Sequence, residues 1–146
     1  MEALVNVDRC FVVGRGTGLA VAMEAGLKLK ETCGIQAEAV SSAEIRHGPM
    51  ALIEAGFPLL VFAPRGPAQE GLFAMAADMR SRGATVLLAA PPGSPGATLP
   101  LIETASVDLD PVSVIQSFYP MVDALAHARG LDPDKPRHLV KVTRTR

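Results

Sequence analysis

Residues 10–33 read CFVVGRGTGLAVAMEAGLKLKETC. The stretch opens on an apolar run, Cys10–Val13, and breaks at Gly14-Arg15-Gly16. A short apolar run closed by glycines predicts a buried strand and a tight turn. Thr17 is placed to cap a helix from about Gly18 to Cys33. Ala22, Gly26, Leu29 and Cys33 recur along it as an apolar stripe at helical spacing, and Gly34 supplies the stop.

The alternation continues outward from this stretch. Ala37–Val40 reads as a second, short strand, and SSAE at 41–44 fits a capping box that would open a short helix. Leu59–Ala63 is a strand between prolines 58 and 64. Ala68–Arg82 is a helix whose Leu72, Met75, Ala76 and Met79 recur at three and four, with Gly83 as its stop. Thr85–Ala90 is the next strand, and PPGSPGATLP at 91–100 is a Pro/Gly loop. Val107–Leu109 is expected as an edge strand, Val112–Arg129 as a long helix ended by Gly130, and 131–146 as a basic tail. Strands that are apolar throughout, alternating with helices, predict a mainly parallel sheet covered on both faces. The expected fold is an α/β, three-layer α/β/α sandwich of about five strands in the flavodoxin style. It forms a single domain over 1–146. MEALVNVD at 1–8 reads as the end of a helix with nothing before it, which suggests a piece of a longer protein.

Composition narrows the function classes. A net charge of −1 offers no global field for nucleic acid or an anionic membrane. The only local excess is the basic PRHLVKVTRTR at 136–146. Without tryptophan and with few aromatics, base-stacking platforms are not expected. No apolar run approaches the ~20 residues that span a bilayer, and the acidic first residues do not form a signal peptide. Cys10 and Cys33 are too few for a disulfide scaffold, so a reducing cytoplasm is the expected location. No His or Cys pair has metal-ligand spacing, so no zinc is expected.

Three groups of residues carry possible chemistry. Gly14-Arg15-Gly16 lies between a strand and a helix, where backbone N–H groups can receive a phosphate; it also reads as a plain tight turn. Glu24, Lys28 and Glu31 stand at i, i+4 and i+7 and share one helix face. Such a stripe is either a solvated ion-paired surface or a carboxylate held beside an ammonium for proton transfer. His47, just before Gly48-Pro49, sits at a loop edge and titrates near neutral pH.

The order GRG…EAGLKLKE…AEAVSSAEIRHGPMALI…PLLVFAP…GLDPDKPRHLVKVT resembles the second sugar-isomerase (SIS) subdomain of glucosamine-6-phosphate synthase and related amino-sugar phosphate isomerases and deaminases. The likeness covers about Cys10 to Thr143. It rests on KLKE, on HGP at a fixed distance after it, and on the closing PR-L-K-T. The resemblance implies that Glu31 shuttles a proton between C1 and C2 of an open-chain hexose 6-phosphate. It implies that Lys28 polarises or relays beside it. His47 would assist ring opening in a neighbouring subunit, and Lys141 would form a Schiff base with a keto sugar. Gly14, Arg15, Gly16 and Val140 would contact substrate. The implied substrates are fructose 6-phosphate or glucosamine 6-phosphate, and the implied partner is an N-terminal SIS half or a second copy in a homodimer. The resemblance implies no metal or organic cofactor. An isolated half would then be inactive. The family's S-x-S-G-x-T phosphate loop is missing: its position holds Ala63-Pro64-Arg65-Gly66-Pro67, and Ser94-Pro95-Gly96-Ala97-Thr98 imitates it after another strand. A phosphosugar-binding regulatory module is the alternative. The apolar stripe of the first helix is the expected face for assembly.

Overall fold

The computed structural model describes residues 1–139. Its elements run α1 (Glu2–Val5), β1 (Arg9–Gly14), α2 (Thr17–Cys33), β2 (Gln36–Ser41), β3 (Pro58–Phe62), α3 (Gln69–Ser81), β4 (Thr85–Ala90), β5 (Leu99–Pro100) and α4 (Asp110–Ala128). The five strands are ordered β2-β1-β3-β4-β5 and every pairing is parallel. This is the flavodoxin-like order, with its switch point between β1 and β3.

Apolar runs become central strands because both sides of each are covered. Val12, Leu60, Phe62, Leu87 and Ala89 meet α2 and α4 on one face. Phe11, Val13, Leu59, Val61 and Leu88 meet α3 and the 45–57 segment on the other. Edge strand β2 is half exposed, as its polar Gln36 and Glu38 require. The Phe62 and Phe118 rings meet edge to face at 5.9 Å and tie α4 to the sheet. At the opposite end, Arg129 donates from Nε to the Cys33 carbonyl (2.7 Å) and from Nη1 to those of Val5 (2.6 Å) and Val7 (2.9 Å). One cation thereby satisfies carbonyls at the ends of α1 and α2 from the end of α4.

Four local expectations are corrected. Val107–Leu109 is a 3₁₀ turn, and the fifth strand lies in the Pro/Gly loop. Thr98 decides this, because its N–H donates to the Leu88 carbonyl (2.9 Å) and its hydroxyl accepts from the Leu88 N–H (2.8 Å). The SSAE segment forms turns, not a capped helix; Ser41 Oγ accepts from Ala43 N–H two residues on (3.3 Å). Thr17 is the first residue of α2 and makes no side-chain cap, Gly16 taking the cap position with φ 57°. The α2 stripe is core. Ala22, Leu29 and Cys33 are fully buried, and at Gly26 the helix lies on the Ala37 and Ala39 backbone of β2. The small residues bring α2 down onto its own sheet, so they offer no face to a partner.

Candidate functional site

Helix α2 runs back along the sheet from the C-terminal edge of β1, so its two ends lie at opposite edges. Lys28 and Glu31 sit in its last two turns. Lys28 Nζ is 2.7 Å from Glu31 Oε2 and 3.8 Å from Glu24 Oε1. Hydrogen bonding to Glu31 raises the Lys28 pKa above the ordinary lysine value, against the smaller effect of partial burial. Lys28 is therefore an ammonium at neutral pH. The side chains of Lys28 and Glu31 remain 31% and 27% exposed, so solvent or a ligand can reach both.

Glu31 forms part of the wall of a cleft of about 470 Å³. Thr32, Leu131, Lys135 and Arg137 form other parts of it, and the 130–139 segment leads directly into Val140 and Lys141. Those two candidate residues lie outside the described residues. A carboxylate on a cleft wall, backed by an ammonium, can take up a proton and return it while the ammonium faces developing negative charge.

His47 is exposed and its N–H donates to the Glu44 carbonyl (2.8 Å). Its segment packs through Ile45 and Met50 into the α3-side core, whereas α2 covers the other face. A single copy of the chain therefore does not bring His47 to Glu31.

The glycine turn occupies the far end of α2. Glu31 is 15 residues beyond Gly16, roughly 22 Å along the helix axis, more than one hexose phosphate spans. Gly14 is buried, and a Cβ there would collide with the Gly18 carbonyl of α2. Its glycine is thus required by close strand–helix approach. Arg15 is exposed beside a crevice shared with Pro64–Pro67. Arg65, in the segment where a phosphate loop was sought, is committed inward. Its Nε and Nη2 each donate to Asp110 at 2.7 Å, and Nη2 also reaches the Thr104 carbonyl at 2.7 Å. Asp110 is 2% exposed and also accepts from the Thr104 N–H and hydroxyl. Arg65 above all holds the Asp110 carboxyl well below the ordinary carboxylate range.

Two features escaped the sequence reading. Tyr119 of α4 donates to Glu24 Oε1 at 3.2 Å and joins the charged stripe from a second helix. Asp110 is the other, although Asp-Pro at 110–111 carries the signal of a helix first turn. Among the described residues, no group of three or more His, Cys, Asp or Glu side chains could hold a metal ion. Among them also, no helix is long and apolar enough to cross a membrane.

The five-stranded, all-parallel α/β sandwich is the fold of a SIS domain. The SIS domain family model matches residues 3–128, and the chain belongs to that family. It is 41% identical over 145 residues to the isomerizing glutamine–fructose-6-phosphate aminotransferase of Aeropyrum pernix, covering 94% of this chain and 23% of that protein. The same-named protein of Thermococcus kodakarensis is 35% identical over 143 residues, covering 96% and 24%. The chain thus spans about a quarter of the length of these curated relatives. Among solved structures, the glucosamine-6-phosphate deaminase of Thermotoga maritima matches with TM-score 0.73 and 27% identity, over 97% of this chain and 41% of that one. The C-terminal domain of the Francisella tularensis glucosamine-fructose-6-phosphate aminotransferase matches with TM-score 0.79 and 23% identity, over 90% and 38%.

Proposed function

We propose that this chain is one half of a two-SIS enzyme that isomerises or deaminates an amino-sugar phosphate. The reaction moves a proton between C1 and C2 of an open-chain hexose 6-phosphate. The observation that carries the reading is the 2.7 Å Lys28–Glu31 pair, half-exposed, with Glu31 on the cleft wall. Glu31 takes the proton from one carbon and returns it to the next. Lys28 supplies positive charge for the enediolate oxygen that forms between the two steps. His47, across the sheet from Glu31 within one copy, serves ring opening in the site of a second copy. Lys141 forms a Schiff base with the keto sugar and Val140 contacts substrate; both lie outside the described residues.

The relatives support the substrate class, since their names place fructose 6-phosphate or glucosamine 6-phosphate in the reaction. The phosphate is held by the other SIS half, because Arg65 is already neutralised by Asp110. Gly14, Arg15 and Gly16 then contact substrate or partner only across an interface. The test is turnover of fructose 6-phosphate and glucosamine 6-phosphate by the full-length protein. Glu31→Gln should lower kcat by roughly a hundredfold or more. Undiminished turnover would remove Glu31 from the mechanism.

A further inference from the structure

The Glu24–Lys28–Glu31 stripe is asymmetric. Two carboxylates flank one ammonium at i−4 and i+3, yet Lys28 Nζ lies 2.7 Å from Glu31 and 3.8 Å from Glu24. Sequence spacing gives no reason for that preference, since either partner is within reach on one helix face. The reason comes from α4. The Tyr119 hydroxyl donates to Glu24 Oε1, the same oxygen that faces Lys28.

We propose that Tyr119 is a positioning residue that holds Glu24 aside, so that Lys28 stays engaged with Glu31. The inference rests on the proton-transfer reading of Glu31 and adds to it a residue from a second helix. Tyr119 is itself fixed by its surroundings. Its ring lies 6.5 Å from that of Phe118, which is anchored on Phe62 of β3. Pro120 follows it and removes a backbone donor from the interior of α4. The charged groups facing its hydroxyl are Glu24 and Lys28 of α2. Asp123, one turn further along α4, is directed at His127 (3.8 Å). Burial first, then Glu24, raise the Tyr119 pKa, so the phenol keeps its proton and remains a donor at neutral pH.

The contact can be read directly, because Tyr119 is the only tyrosine and the chain has no tryptophan. A phenol hydrogen-bonded to a carboxylate is quenched. At neutral pH, the tyrosine emission of the 146-residue chain should rise in Glu24→Gln. Unchanged emission would show that the contact does not form and would overturn the proposal. The consequence is read in the full-length protein. Tyr119→Phe keeps the ring and removes only the donor; it should lower kcat roughly five- to tenfold with KM unchanged. Adding Glu24→Gln to Tyr119→Phe removes the freed competitor and should recover most of the loss. A purely structural role for Tyr119 would give no such recovery. Full kcat in Tyr119→Phe, or a double variant no faster than Tyr119→Phe, would overturn the proposal. Full turnover in Glu31→Gln would instead remove the underlying site reading, and the emission experiment would still decide whether Tyr119 holds Glu24.

Discussion

The two ends of helix α2 use charge in opposite ways. Near its N-terminus, Arg65 and Asp110 consume each other: Asp110 is 2% exposed and accepts from two guanidinium nitrogens and two groups of Thr104. Toward its C-terminus, Lys28 and Glu31 make one close contact and keep about a third of their surface open. A buried carboxylate on which four donors converge can hold a loop but cannot take up a proton without losing that loop. A partly exposed pair whose carboxylate lines a cleft contributes little to folding and is free to exchange protons. In sequence each pair is one cation and one carboxylate, and the difference lies in how deeply the carboxylate is buried and how many donors it has.

That contrast can be broken most severely at Gly14, where the backbones of β1 and α2 touch. Gly14→Ala places a Cβ against the Gly18 carbonyl. It should cost about 3 kcal/mol of stability or prevent folding, read as the urea midpoint. A variant with wild-type stability would show that the turn has slack.

Next is the buried carboxylate. Asp110→Ala removes the acceptor on which four donors converge and should cost about 2 kcal/mol. The same group sets an acid limb. Its folded pKa lies below the unfolded value, so its contribution is complete above about pH 4, the ordinary carboxylate value. It is lost as pH falls further, toward the folded pKa. Unfolding free energy should decline below about pH 4 in the wild type, and Asp110→Asn should flatten that decline. Equal acid slopes in the two would refute the assignment.

The smallest effect should come from the Lys28 end. Lys28→Met removes pairs at i,i+3 and i,i+4 on a partly exposed face, and stability should change by no more than about 0.5 kcal/mol. A loss as large as that of Asp110→Ala would make the Lys28 pair structural and erase the contrast.

The fold was legible where a single segment fixes its own fate. Apolar runs at Cys10–Val13, Leu59–Ala63 and Thr85–Ala90 became strands because nothing polar in them demands water. The Glu24–Lys28–Glu31 face followed from helical spacing alone. The rest depends on contacts between distant segments. Strand β5 exists because Thr98 reaches Leu88, which a Pro/Gly-rich loop does not announce. Val107–Leu109 has the alternating pattern of an edge strand, but it turns into Asp110, whose carboxylate captures Thr104 and Arg65. The apolar stripe of α2 was legible as a stripe, but its partner was not, because spacing cannot tell the chain's own sheet from another protein. Tyr119 lies 95 residues from Glu24, and no local pattern links them.

The central claim is that Glu31 is the base that moves a proton on the sugar, and isotope exchange tests it most directly. The full-length protein, incubated with fructose 6-phosphate or glucosamine 6-phosphate in D₂O, should place deuterium on C1 or C2. In Glu31→Gln that exchange should fall by roughly a hundredfold or more, while the unfolding free energy from urea melts stays within about 0.5 kcal/mol of wild type, as for other changes at a partly exposed position. Exchange at the wild-type rate in a folded Glu31→Gln protein would contradict the account.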